Sequence, residues 1–418
     1  MRAPERLGSQ GRRIRLLYVA GNFVTGGAER HLLEMWRRLD RTRFDVRIAC
    51  LRREGAFTPQ VEALGLPITD LEVGKLYDVS GVRGLLRLIS LVREFRPDVI
   101  HGYLFGPNLF AALAGRLCGV SVVAVAKRNV DAFETTRQIH VQRIAHRLAT
   151  HVTAVSEEVA ASSVALGVPR SRVTVIENGV DITRFDGRDS SGDGLGLPAD
   201  ASGAARSPLI GSVGCLAPRK DYGTLLGALA QLRARGVAFR CAIAGDGPDR
   251  PALEAEAARL GIAAQVVFLG ERRDVDQLLP AFDLFTLSSR EEGIPNALLE
   301  AMAAARACVV TDVGGNAEVL QGGVTGWLVP AQDPLALADA LAEALRDPAE
   351  AARRAHAARE AMQRDRSIDA MVRRHEWFYE ASLGLRPKSE PMLQPGGMSM
   401  PMSGATSDSL AAREAGES

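Results

Sequence analysis

Residues 14–20 read Ile-Arg-Leu-Leu-Tyr-Val-Ala, a short and almost unbroken apolar run. After a glycine turn at Gly26-Gly27 the apolar positions shift to helical spacing, and a second apolar run follows at 44–50. The exchange continues, with strand-like runs at 98–101, 122–126, 151–155 and 173–176. Unbroken apolar runs mark strands buried on both faces, and their alternation with helical stretches marks a parallel, doubly wound sheet. Asn178-Gly179 closes this series. Residues 186–207, built from Asp, Ser, Gly, Ala and Pro, carry no periodicity and have linker composition. Alternation then restarts with runs at 209–213, 239–244, 265–269, 284–287 and 308–311. The predicted fold class is therefore α/β, with two Rossmann-like doubly wound parallel-sheet domains facing an interdomain cleft. An N-terminal domain spans 13–185, a linker 186–204 and a C-terminal domain 205–366. A helix at 367–385 completes the first domain, and residues 386–418, rich in Met, Pro, Gly and Ser, are expected to be disordered.

With 418 residues the chain has room for two full cores. Its 46% hydrophobic and 24% charged content suits a soluble globular protein. No apolar run approaches the ~20 residues that cross a bilayer. The Arg-rich stretch 1–15 lacks the apolar segment of a secretory signal. Cysteines 50, 118, 215, 241 and 308 stand singly, without metal spacing, so reduced thiols in the cytoplasm are expected. The net charge of +1 conceals an asymmetry. Residues 1–185 hold 27 Lys/Arg against 18 Asp/Glu (+9), and residues 186–418 hold 24 against 32 (−8). A basic half beside an acidic one points to an anionic partner for the N-terminal domain: a phospholipid surface, a phosphate-bearing acceptor, or nucleic acid.

The most informative chemistry lies at 288–303, Ser-Ser-Arg-Glu-Glu-Gly-Ile-Pro-Asn-Ala-Leu-Leu-Glu-Ala-Met-Ala. Glu292 and Glu300 bracket a Gly-Ile-Pro-Asn turn that opens a helix, proline being tolerated in a first turn. Free N–H groups at that positive end suit a phosphate, and carboxylates accept paired hydrogen bonds from vicinal diols. Phosphate flanked by two diol readers describes a sugar nucleotide. Alone, the spacing describes an ordinary acidic helix start equally well. Further small-residue loops follow strand ends: Gly26-Gly27-Ala28-Glu29, Gly214 to Asp221 with Arg219 and Lys220 at its tip, Gly245-Asp246-Gly247-Pro248, and Gly314-Gly315-Asn316-Ala317-Glu318. Open parallel sheets bind ligands at such ends. Lys127-Arg128-Asn129 follows the expected strand at 122–126, where it would face the cleft and an acceptor phosphate. Asp274-Val275-Asp276 precedes Gln277-Leu278-Leu279, so Asp274 is read as a helix cap rather than a metal ligand. The basic amphipathic stretches 83–96 and 137–147 fit weak contact with an anionic membrane. A dinucleotide-dependent oxidoreductase is disfavoured, because the first loop lacks Gly-x-Gly-x-x-Gly.

In this order the motifs resemble glycosyltransferase family 4, retaining enzymes of the GT-B fold, over residues 14–382. Gly-Gly-Ala-Glu, Asn-Gly-Val-Asp (178–181), Gly-Asp-Gly-Pro, the Glu-Gly-Ile-Pro-Asn-Ala-Leu-Leu-Glu-Ala-Met block and Val-Gly-Gly-Asn-Ala-Glu carry the likeness. It implies transfer of a hexosyl group from a nucleoside-diphosphate sugar of UDP or GDP type to a glycan, lipid-linked or small-molecule acceptor. No metal or other cofactor and no nucleic acid are implied. By position, Lys220 resembles the lysine on the donor diphosphate, Glu300 the ribose carboxylate and Glu292 the residue near the donor sugar. Gly293-Ile294 resembles the backbone at the phosphates, and Gly26 and Gly27 the loop that closes over them. Gly245 joins this donor set. The expected catalytic residues are Glu292, Lys220 and His101, and the expected acceptor contacts are Lys127, Arg128 and Tyr103. Two departures stand out. Cys215 occupies a place where many members carry arginine, so that either Arg219 supplies the charge or Lys220 and backbone alone hold the phosphate, and His101-Gly102-Tyr103 keeps one of two common histidines. A GT-B epimerase and a non-catalytic sugar-nucleotide-binding protein are the rival readings. The expected setting is cytoplasmic, at the inner face of the cell membrane.

Overall fold

A computed structural model describes residues 12–24, 26–130, 135–187, 196–197 and 207–386. Most of the expected linker, and the expected disordered tail past residue 386, lie outside the described residues. The first sheet contains β1 Ile14–Ala20, β2 Phe44–Cys50, β3 Ile68–Asp70, β4 Val99–Tyr103, β5 Val122–Lys127, β6 His151–Ala154 and β7 Val173–Val175. The second contains β8 Leu209–Val213, β9 Arg240–Ala244, β10 Val266–Gly270, β11 Leu284–Leu287, β12 Ala307–Thr311 and β13 Trp327–Val329. Their orders are β3-β2-β1-β4-β5-β6-β7 and β10-β9-β8-β11-β12-β13. Every described strand pair is parallel. Each order reverses beside its first strand, between β1 and β4 and between β8 and β11. At such a switch point the flanking loops diverge and leave a crevice.

The apolar runs are continuous because both faces of each sheet are covered. In β1, Leu16, Tyr18 and Ala20 enter one core and Leu17 and Val19 the opposite one. In β12, Ala307 and Val309 face one way and Cys308 and Val310 the other. Each fully buried large side chain contributes roughly 1.5–3 kcal/mol of transfer free energy. Two strands escape the pattern reading, β3 and β13. Both have three residues and lie at a sheet edge, as does β7, which the run at 173–176 does mark.

The final helix, Ile368–Ser382, returns to the first domain. Ile368, Met371, Val372, Phe378 and Tyr379 join the core beneath β1 and β2. The hydroxyls of Tyr18 and Tyr379 meet at 2.7 Å, and Arg43 reaches Glu376 at 3.0 Å. The two chain passages between the domains run side by side. Val180 N–H donates to Arg366 O, and Ile368 N–H to Val180 O, each at 2.9 Å.

Candidate functional site

Two helices from different domains start at the cleft. The helix Gly27–Arg38 follows β1, and its cap position, Gly26, has no side chain to accept from the first turn. The helix Asn296–Ala303 follows β11 and begins after Pro295, likewise without a side-chain cap. Their first turns are tied across the cleft by Asn296, whose Nδ2 donates to Gly27 O at 2.8 Å. Asn178, on the first passage between domains, donates to Asn296 Oδ1 and to Ile294 O, each at 2.9 Å. Two positive helix ends therefore face one cavity of about 540 Å³. It is lined by Gly26, Gly27, Arg219, Lys220, Gly245, Glu292, Gly293, Ile294 and Glu300, so all donor-side residues expected from the sequence share one cavity.

Close approach explains two of the glycines. Gly245 has φ of +141°, and a Cβ there would sit 1.9 Å from Gly214 O. A Cβ on Gly293 would meet Arg128 O at 2.1 Å, so only glycine lets the β5 loop of the other domain rest on this turn. Two non-glycine residues here also hold positive φ, Leu104 at 75° after β4 and Asp221 at 47° after Lys220. Such strain needs surrounding support. Asp221 has it from Arg290, at 2.9 Å, and from Thr224.

The acids in the cavity are arranged differently from one another. Glu292, 4% exposed, forms an ion pair with Lys220, accepts from Ser289 Oγ at 2.6 Å and has Arg219 at 3.8 Å. Glu300 lies one turn inside its helix and is held by Arg30 of the first domain at 3.0 Å and Arg184 at 3.4 Å. Ser288 Oγ donates to the carbonyls of Lys220 and Asp221, fixing the lysine loop against the Glu292 segment. Burial raises the carboxyl pKa of Glu29, which also lines the cavity, while Arg128 opposes that shift.

Three expected site residues do not face the cleft. His101 is fully buried, with Nδ1 at 2.9 Å from Tyr379 Oη and Nε2 at 3.2 Å from Thr153 Oγ1. Burial, then His375, holds its pKa well below the ordinary value, so it sits neutral in the core and is not positioned for catalysis. Tyr103 turns inward as well, its hydroxyl 2.9 Å from His375 Nε2. Lys127 is 4% exposed and donates to Gln142 on the helix Thr136–Leu148. The strand alternation sends Lys127 away from the cleft, whereas Arg128 and Asn129 line it. Asp274 occupies a cap position without making a cap bond, because its carboxylate goes to Arg272 instead, at 2.8 Å. Among the described residues no group of His, Cys, Asp or Glu is arranged to hold a metal ion. Residues that sequence reasoning missed are Arg30, Leu104, Arg184, Arg272, Asn178 and Asn296. Arg30 directly follows the glycine motif, and both asparagines sit inside quoted motifs, so a signal existed for these three.

Comparison with known proteins agrees with this geometry. Residues 25–184 match the model of Glycosyltransferase Family 4, and residues 207–347 that of Glycosyl transferases group 1. The chain is 27% identical to the putative glycosyltransferase EpsF of Bacillus subtilis over 320 residues, covering 71% of this chain and 79% of EpsF. It is 30% identical to the 2-deoxystreptamine glucosyltransferase of Streptomyces kanamyceticus over 287 residues, covering 63% of this chain and 72% of that enzyme. In three dimensions it resembles HepE of Anabaena, crystallised with UDP-glucose, with a TM-score of 0.78 at 22% identity, over 88% of this chain and all of that one.

Proposed function

The chain belongs to glycosyltransferase family 4 and has the GT-B fold, and we propose that it is a retaining, metal-independent hexosyltransferase using a UDP- or GDP-sugar. The observation that carries this reading is the meeting of two uncapped helix N-termini with the Lys220–Glu292 pair and Glu300 in one cleft. The diphosphate would lie between the helix ends, with Lys220 and Arg219 as its cations. Glu300 would receive the ribose diol. Glu292 would lie beside the transferred sugar, where positive charge builds at the anomeric carbon. In same-face transfer the bond from the anomeric carbon to the phosphate oxygen breaks as the acceptor oxygen bonds to that carbon. The acceptor proton passes to the departing phosphate oxygen. No protein base is needed, which suits a site whose one nearby histidine candidate, His101, is sealed in the core.

The acceptor would enter along the N-terminal domain past Arg128 and Asn129. A lipid-linked acceptor at an anionic, cytoplasmic membrane face is favoured by the helix Val79–Phe95. It exposes Val79, Val82 and Leu86 on one face, next to Tyr77, with Arg83, Arg87 and Arg93 also exposed. Among the described residues no helix is long and apolar enough to cross a membrane, so such contact would be peripheral.

The test is incubation with UDP-glucose, UDP-galactose or GDP-mannose and a lipid-diphosphate acceptor in EDTA, followed by NMR of the anomeric linkage. An α-linked product that forms only with acceptor is expected. A β-linked product overturns retention, and activity restored only by Mg²⁺ or Mn²⁺ overturns metal independence. Epimerised donor without acceptor would favour the epimerase reading.

A further inference from the structure

A nucleoside-diphosphate sugar carries a negative charge on each phosphate, and the two cations that the C-terminal wall offers it, Lys220 and Arg219, are both shared with a carboxylate. Lys220 is engaged with Glu292, and Arg219 leans on the same carboxylate at 3.8 Å. Arg272 is committed to Asp274, and Arg290 to Asp221. Position 215, at the mouth of the same loop, holds an exposed cysteine rather than a cation. The opposite wall holds two further cations, Arg128 and Arg30. Arg30 is one turn inside the helix Gly27–Arg38, lines the cavity and is 20% exposed at its side chain. Its guanidinium is bound to Glu300 at 3.0 Å, across the domain boundary.

Resting on the donor reading above, we propose that Arg30 exchanges partners when donor binds: the ribose diol takes its place on Glu300, and the released guanidinium engages the diphosphate from the N-terminal domain. The exchange conserves pairing on both sides. Glu300 keeps Arg184, 3.4 Å away, and gains two hydroxyl donors, while Arg30 trades one anionic oxygen for another. Guanidinium suits this transfer, since its planar fork matches phosphate and carboxylate alike. Because the arginine and its initial partner belong to different domains, the exchange also couples occupancy of the ribose site to charge placement at the phosphates.

The exchange separates nucleoside from nucleoside diphosphate. Titration of the full chain with UDP and uridine, and with GDP and guanosine, is to be compared with Arg30→Ala. The diphosphate should bind at least about tenfold more weakly to the variant, the value of a charge-assisted contact. The bare nucleoside should bind equally or more tightly, because Glu300 has lost a competitor. Arg30→Gln, which keeps length and donors without charge, should behave alike, with thermal unfolding confirming that both variants fold. Cys215→Arg in the Arg30→Ala background should recover most of the diphosphate affinity. Undiminished diphosphate binding overturns the proposal. So does a parallel loss for nucleoside and diphosphate, which would mean that Arg30 only supports Glu300, and so does failure of Cys215→Arg to recover affinity. If the unaltered chain binds neither diphosphate, the donor reading itself falls, and this proposal with it.

Discussion

At the residue scale, Glu292 and Glu300 belong to one motif but differ in surroundings, and their roles should differ accordingly. Glu300 would hold a part of the donor that does not change during transfer, so Glu300→Gln is expected to raise donor KM by about tenfold with kcat little altered. Glu292, paired with Lys220, would lie beside the reacting bond on the proposed reading and should act on the transition state. Glu292→Gln is expected to lower kcat by roughly a hundredfold. Steady-state kinetics on both variants decides the matter, and the opposite pattern would exchange the roles. The spacing of the two residues was visible in the sequence, but it fitted an ordinary acidic helix start equally well, and only the resemblance to the family singled them out. His101 was legible only as a histidine at a strand end, and the core packed behind that strand decided its role. The same core predicts a pH effect. His375 is buried, and its pKa is pushed down to about 4, whereas in the unfolded chain it titrates near ~6.5. Between these values the unfolded state binds more protons, so this stabilisation is complete above pH ~6.5 and is lost as pH falls toward ~4. Burial shifts His31 and His101 in the same direction. The thermal unfolding midpoint should drop between pH 7 and 5, and the drop should shrink in His375→Gln. An equal drop in that variant would remove His375 from the account.

At the element scale, the cleft depends on how helix starts are held. The sequence predicted the helix after Pro295 and the glycine turn before residue 27, each from local signals. Their mutual approach was not predictable, because Asn178, Asn296 and Gly27 are far apart in the chain and meet only through the closure of one domain on the other. This amide chain links the interdomain passage, the helix Asn296–Ala303 and the glycine loop. Asn296→Ala removes two of its bonds, each with a net worth of about 1 kcal/mol. Donor KM should rise about five- to tenfold, with only the modest loss of thermal stability that two such bonds imply, since neither core is touched. Unchanged KM would show that the chain is incidental to donor binding. The loop after β5 shows the same limit from another direction. Lys127 and Arg128 are neighbours with similar side chains, and what packs on each side of the sheet decides that one meets the helix Thr136–Leu148 and the other the cleft.

At the scale of the whole molecule, the +9 half of the chain carries the apolar and basic face of the helix Val79–Phe95. Beyond it Arg137 stacks over Tyr77 at 4.2 Å. Each basic residue near an anionic surface contributes about 1 kcal/mol, screened by salt. The protein should sediment with anionic vesicles at low ionic strength and dissociate at high salt, and Leu86→Asp should weaken the association. Absence of binding at low salt would leave a soluble acceptor as the better reading. The sequence by itself determined two parallel sheets, eleven of their thirteen strands and a set of loop and helix-start residues that share one cavity. These rest on local physics: apolar runs long enough to show burial on both faces, glycines where backbone approaches backbone, and proline at a helix start. Tertiary structure alone decided which polar residues face the cleft and which face the core. It turned His101, Tyr103 and Lys127 inward, gave Asp274 to Arg272 and brought Arg30 to Glu300. A side chain's partner is set by what packs opposite it, and across 270 residues of intervening chain no local pattern records that meeting.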